Sequence, residues 1–282
     1  MEYALHIFEP DHLANRGPHH SRIYFGAEFC QYRIPGVETL AEVINHAGSR
    51  GLDFTYVTPW VTDSYLAKLK EHFELLKGHN NVEVVFNDWG VFNLLRREYS
   101  SFSLILGRLL AKQKKDPRLI PLIERDKNVT ITSEGAETRV VTNILNLPPK
   151  VIEYYKSSNI NTERFSGYLL KNAIHRAEID NLLHGINIGK NTDLKVSLCM
   201  PYGYITVGRI CTTKMILEDD YRIQTCHDES CRVKAFSLKY EGCNFTVFLQ
   251  GNAQYFFNDQ LPQNIAETAV DRIVDNSLLF RL

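Results

Sequence analysis

An α/β barrel is the fold this sequence predicts, and three observations predict it. Strand-like and helix-like segments alternate from Arg22 to Leu106, the rhythm of βαβ units that share a parallel sheet. The 282 residues, 44% of them hydrophobic, supply enough chain and apolar surface for one large core. No internal repeat or low-complexity linker breaks the chain, so residues 1–282 read as a single barrel-like domain.

The elements follow in order. Tyr3–Phe8 reads as a short strand, and the polar stretch Asp11–His20, with Gly17 and Pro18, as a loop. Arg22–Gly26 is a strand that stops at its glycine. Val37–Gly48 has helical spacing, with Leu40, Val43 and Ile44 on one face. Asp53–Thr58 is a strand ended by Pro59. Asp63 caps a helix that runs to about Lys77, striped by Tyr65, Leu66, Leu69, Phe73 and Leu76. Val82–Phe86 is a nearly continuous apolar strand, Asn87–Gly90 a loop, and Val91–Arg97 a short helix. Ser103–Leu106 is the fourth strand of the series that opens at Arg22.

There the rhythm breaks. Residues 112–137 are charged and hold Pro117, Pro121 and Gly135, which marks an insertion after that fourth strand. Tandem prolines open a helix over Pro148–Ser157. Glu163–Leu169 is expected as a strand, Ala173–Leu183 as a helix, and Leu194–Cys199 and Tyr204–Arg209 as strands. Phe236–Tyr240 and Phe245–Gln250 have strand character about Gly242. Pro262–Ala269 is expected as a helix, and Ile273–Phe280 ends the chain.

Composition excludes some functions. A formal net charge of −1 gives no general attraction to nucleic acid. The one basic patch, Lys112, Lys114, Lys115 and Arg118, reads as a solvated face. Met1-Glu2-Tyr3 opens no signal peptide and no apolar run is long enough for a bilayer, so a cytoplasmic protein with no membrane role is expected. No glycine-rich dinucleotide or phosphate loop is present. Neither Ser/His/Asp nor His-Glu-x-x-His patterns support proteolysis, so peptidase activity is not expected.

Cysteine carries the strongest chemical signal. Cys30 follows an early strand, whereas Cys211, Cys226 and Cys231 cluster late. Four thiolates are what an iron–sulfur cluster or a closed zinc site needs, and cytosolic cysteines stay reduced. The other reading is that they are buried small hydrophobes, which suits Cys199 and Cys243 better because each lies in or beside an apolar strand. His227 is either a further ligand or a solvated loop residue. The adjacent pair His19-His20 lacks the spacing of ligands on one face.

Four segments resemble the collagenase-like peptidase family, in the branch of UbiU and UbiV, and UbiV-like proteins above all. They are Tyr24–Cys30 with Arg33, Asn87–Val91, Tyr202-Gly203 leading through Gly208–Ile210 to Cys211, and Cys226 with Cys231. The resemblance implies a TIM-barrel-like domain with a [4Fe–4S] cluster near its mouth, held by Cys30, Cys211, Cys226 and Cys231, with zinc the runner-up. It implies work in, or support of, an oxygen-independent hydroxylation or related redox step on a small molecule, beside a UbiU-like partner. A non-enzymatic cluster-bearing or zinc-stabilised subunit, and an RNA-modification factor, are the alternatives that relatives suggest. The closing cysteine pair is one residue wider than in UbiV-like chains, and the 112–137 insertion is a departure from them.

Four further side chains are candidates near such a centre. Glu28 is a proton acceptor or an ion-pair member. Arg33 holds a carboxylate or phosphate, or forms a surface pair. Asp88 bonds backbone amides in its turn. Arg209 donates toward the cluster or packs over an aromatic ring.

Overall fold

The computed structural model describes residues 1–116, 119, 147–189, 193–219, 226, 231, 234–239 and 245–280. Eight parallel strands close a barrel: β1 (Glu2–Ile7), β2 (Arg22–Gly26), β3 (Asp53–Val57), β4 (Glu83–Phe86), β5 (Ser103–Leu106), β6 (Arg176–Asp180), β7 (Lys195–Met200) and β12 (Val270–Asp275). β1 pairs with β12 on one side and β2 on the other, so the two ends of the chain seal the barrel. This is the α/β barrel that the alternation predicts.

Helices cover the outside: α1 (Val37–Ser49), α2 (Asp63–Leu76), α3 (Trp89–Glu98), α4 (Pro149–Lys156) and α5 (Glu163–Lys171). α1 buries Leu40, Val43, Ile44 and Ala47, one stripe at helical spacing. That stripe joins the outward strand residues Leu5, Ile7, Ile23 and Phe25 in the main core. Each such side chain contributes about 1.5–3 kcal/mol when removed from water. α3 starts at Trp89 because the Asp88 carboxylate accepts from the Gly90 and Val91 amides, at 2.6 and 3.1 Å.

The inside of the barrel is tiered. At the N-terminal end, Arg22 and Arg272 bond Glu2, Glu83 and Asp53. An apolar waist follows, made by Ala4, Tyr24, Val57, Val85, Ile105, Cys199 and Val274. Charge returns at the C-terminal mouth, the end where barrels of this kind carry function.

Between β7 and β12 the chain leaves the barrel and forms an antiparallel sheet, ordered β8 (Tyr202–Val207), β11 (Ala253–Phe257), β10 (Thr246–Gln250), β9 (Phe236–Lys239). A short helix, α6 (Thr212–Glu218), follows β8. The sheet lies over the mouth through an aromatic cluster that includes Phe29, Tyr202, Tyr204, Tyr255 and Phe280. Asn276, fully buried after β12, fastens its start: the side chain accepts from the Tyr202 amide at 2.9 Å and donates to its carbonyl at 2.7 Å.

Several expectations are corrected. Glu163–Leu169 is helix, because Phe165 and Leu169 fall on one face and Leu169 is buried. Ala173–Leu183 is not a helix; it contains β6, whose Ala177 and Ile179 face the outer core while Arg176, Glu178 and Asp180 bear charge. Pro262–Ala269 holds only a 3-10 turn at Ile265–Glu267. Ile273–Phe280 divides into the end of β12 and a 3-10 turn at Ser277–Leu279. Thr62, not Asp63, is the N-cap of α2, and Asp63 is its first residue. With β1 counted, Ser103–Leu106 is the fifth barrel strand. Most of the 112–137 insertion lies outside the described residues, as do Arg118, His227, Gly242 and Cys243.

Candidate functional site

Residues at the strand ends build the mouth. Gly26 ends β2 with φ +133°, and a Cβ there would stand 2.2 Å from the Val57 carbonyl oxygen. Only glycine fits this close pass of β2 against β3. The turn delivers Glu28, Phe29 and Cys30 to the barrel rim. Arg108, two residues beyond β5, reaches into the mouth from the far side and is 1% exposed. Its guanidinium forks onto both Glu28 oxygens, at 2.6 and 2.7 Å, and donates to Asp180 at 2.5 Å and to the Tyr202 carbonyl at 2.9 Å. Lys115 completes the group, donating to the other Asp180 oxygen with its ammonium over the Tyr204 ring.

This quartet is the part of the mouth that the sequence did not reveal. Two carboxylates and two cations cancel in formal charge, which is how four buried ions coexist. Burial outweighs the pull of Asp180 and brings the Lys115 ammonium down to about 8. Lys115 is thus a buried ion-pair member rather than part of a solvated basic face. Gly107-Arg108 at a strand end was the available signal for Arg108. Asp180 was hidden because its strand reads as helix.

Below the quartet, Glu178 is buried with one carboxylate oxygen lacking a hydrogen-bond partner. Burial and then the Glu28 charge push its carboxyl up to about 8, so it is neutral at ordinary pH. His6 hydrogen-bonds the Gly26 backbone and keeps its Nε2 unpartnered; burial and then the Arg108 charge lower the ring to about 3.

The cysteines meet at the rim. Cys30 is raised to about 11, first by burial and further by the nearby Cys226 and Cys211 thiols. Cys231 hydrogen-bonds Cys211, is raised by that bond and by burial, and feels Cys30. One early and three late sulfurs therefore share one electrostatic neighbourhood. Among the described residues, no three His, Cys, Asp or Glu side chains gather tightly enough to hold a single metal ion.

Asn252 explains the convergence. Its side-chain amide donates to the Phe29 carbonyl, beside Cys30, at 2.8 Å and to the Gly208 carbonyl, on the approach to Cys211, at 2.6 Å. Next to it, the Gly251 amide donates to the Thr213 hydroxyl at 2.8 Å and the Thr213 amide to the Gly251 carbonyl at 3.0 Å. A Cβ on Gly251 would lie 3.6 Å from the Cys231 sulfur. The turn Gln250–Asn252 thus touches the segments of three of the cysteines.

The other candidates separate. Glu28 is the ion-pair member. Arg33 has no ion-pair partner among the described residues, lines a cavity with Cys30 and Glu28, and opposes part of the rise in the Cys30 and Cys231 thiols. Asp88 is the helix cap already described. The Arg209 guanidinium lies over the Trp60 ring, 5.2 Å from its centroid. Cys199 sits in the apolar waist, buried as a small hydrophobe.

No protein-family model matches the chain, and no curated protein does. Among solved structures, "The Structure of the U32 Peptidase Mk0906" aligns over 98% of this chain and 92% of that one, at 8% identity and a TM-score of 0.46. U32 peptidases are the collagenase-like family that the sequence motifs resemble. A likeness this loose carries no argument. No helix among the described residues is long and apolar enough to cross a membrane.

Proposed function

We propose that this chain is a UbiV-like protein that holds a [4Fe–4S] cluster through Cys30, Cys211, Cys226 and Cys231 and acts in, or assists, an oxygen-independent hydroxylation or related redox step. The observation that carries the reading is the gathering of four thiols from opposite parts of the chain at the barrel mouth.

The donor set fits the group. Four sulfurs are available, and Arg33 offsets part of the thiolate charge. A lone zinc ion draws its sulfurs to about 2.3 Å from one centre. Zinc is the runner-up for the same four sulfurs. When bound, such a cluster supplies one-electron transfer at a potential set by charge, hydrogen bonds and exposure.

The chain's own residues have simpler tasks. Asn252 ties the Cys30 loop to the approach to Cys211. Arg108 fixes Glu28 in a bidentate bond, so Glu28 shapes and charges the mouth rather than moving a proton freely. The β8–β11 sheet covers part of the mouth with buried aromatic side chains.

Anaerobic purification with iron and sulfide analysis tests the reading. About four irons and four sulfides per chain are expected, with loss of both in C30S and C211S. Zinc alone after reconstitution turns the reading to the runner-up, and a metal-free protein ends it. Activity that appears only after mixing with a UbiU-like chain assigns a supporting role.

A further inference from the structure

We infer that Cys211 and Cys231 form a site of reversible oxidation: in the metal-free chain, hydrogen peroxide joins them in a disulfide and leaves the Cys30 and Cys226 thiols intact. Two observations pair these sulfurs. The Cys211 and Cys231 thiols hydrogen-bond to each other. Both segments also stand against Gly251. The Thr213 amide, two residues beyond Cys211, donates to the Gly251 carbonyl at 3.0 Å, and the Gly251 amide donates to the Thr213 hydroxyl at 2.8 Å. A Cβ on the same glycine would meet the Cys231 sulfur at 3.6 Å. One turn thus holds the start of α6 and Cys231 side by side.

Cys30 belongs to another segment. Its sulfur accepts a hydrogen bond from the Tyr32 amide, and of the late thiols Cys226 acts on it most strongly. Its loop is tied to Asn252 through the Phe29 carbonyl. The four sulfurs therefore divide two and two, and only the division that joins Cys211 to Cys231 brings two thiols into a mutual hydrogen bond that the structure supports from a second side.

Exposure orders the chemistry. Cys211 is partly exposed, whereas Cys231 is 3% exposed, so peroxide reaches Cys211 first. The Cys211 sulfur takes one peroxide oxygen and becomes a sulfenic acid, with release of water. The Cys231 sulfur then attacks it. The S–S bond forms, the S–O bond breaks, and the departing hydroxide takes the Cys231 proton to become a second water. Two electrons pass from the two sulfurs to one peroxide. The disulfide withdraws two of the four candidate ligands, so the oxidised chain accepts no four-sulfur centre until a thiol reductant restores them. This goes beyond the function proposed above and does not depend on it, because it concerns the chain without metal.

The test uses the full chain, stripped of metal by a chelator without oxygen, treated with hydrogen peroxide, alkylated and mapped by mass spectrometry of non-reduced peptides. Loss of two of the six thiols is expected, with Cys211–Cys231 the main cross-link and both thiols recovered by dithiothreitol. C30S and C226S are expected to give the same cross-link. C211S is expected to leave Cys231 a thiol, since peroxide does not reach it directly. A different main pair, oxidation of Cys211 to the sulfinic acid without a cross-link, or six intact thiols overturns the site. The wild-type map decides the matter even where a serine variant fails to fold. Iron and sulfide measured before stripping keep the two ideas apart. A chain that never holds iron but forms the cross-link keeps this site and ends the cluster. A cluster-loaded chain whose stripped form gives no cross-link does the reverse.

Discussion

Both ends of the barrel are built from arginine and carboxylate, yet they are different devices. At the N-terminal end, Arg22 and Arg272 share Glu2 and Glu83, and Asp53 stands at the rim, more than half exposed. Burial pushes the Glu2 and Glu83 carboxyls up, but the arginine bonds outweigh it and hold both below the usual range. At the mouth, Arg108, Glu28, Asp180 and Lys115 are nearly sealed from water. Unfilled groups surround them: the Glu178 and Gln250 oxygens and the His6 nitrogen. The closed network pins strands together. The mouth keeps unsatisfied chemistry beside a cavity, which is where ligands belong.

The largest test of this contrast removes one arginine from each end. R108M leaves Glu28 and Asp180 with a single buried cation, and a loss of about 3–5 kcal/mol is expected by urea unfolding. R22M leaves Arg272 on Glu2 and Glu83 and exposes Asp53 to water, so a smaller loss of roughly 1–2 kcal/mol is expected. Equal losses would erase the distinction.

G26A strikes the turn that builds the mouth. Its φ and the approach to the Val57 carbonyl make a side chain strained, at a cost of roughly 1–3 kcal/mol from backbone alone. A melting temperature unchanged from wild type would show that the pass of β2 against β3 is not tight.

Glu178 at the mouth and the carboxylates of the N-terminal end respond oppositely to pH. Glu178 has its folded carboxyl raised from 4.5 to about 8, so its contribution is full below 4.5 and is lost as pH rises through 8. E178Q is expected to melt higher than wild type at pH 8.5, with the gap closing by pH 4.5. Glu2 and Glu83 are held low, so their contribution is present at neutral pH and is lost as pH falls through the acid range. His6, lowered from 6.5 to about 3, adds to that acid loss between those values. A pH–stability curve for E178Q without a steeper rise from acid to neutral would contradict this assignment.

The smallest expected effect is at the rim. D88A removes the cap of α3 and costs about 1 kcal/mol by thermal unfolding, with the barrel otherwise intact.

Legibility followed the direction in which side chains point. The strands from β2 to β5 were readable because both of their faces are largely apolar, giving runs such as Val84 to Phe86, where Val84 and Phe86 join the outer core and Val85 the waist. β6 was misread because Arg176, Glu178 and Asp180 bear charge on a buried strand, a pattern that looks like a polar helix face. Lys115 passed as part of a solvated face and Arg108 drew no reading for the same reason, since burial of a charge depends on partners remote in the chain. β11 was missed between two short strands of the capping sheet.

The sequence by itself determined the barrel class, the cap at Asp88, and the four cysteines as a set that needs explaining. These depend on local spacing and side-chain chemistry. Only the tertiary structure decided that Cys30 lies beside the late cysteines, that Arg108 joins Glu28 to Asp180, and that Gln250 is left without a bond. Each of these depends on contacts between segments distant in sequence, created when the chain's two ends close one barrel and the excursion before β12 folds over its mouth.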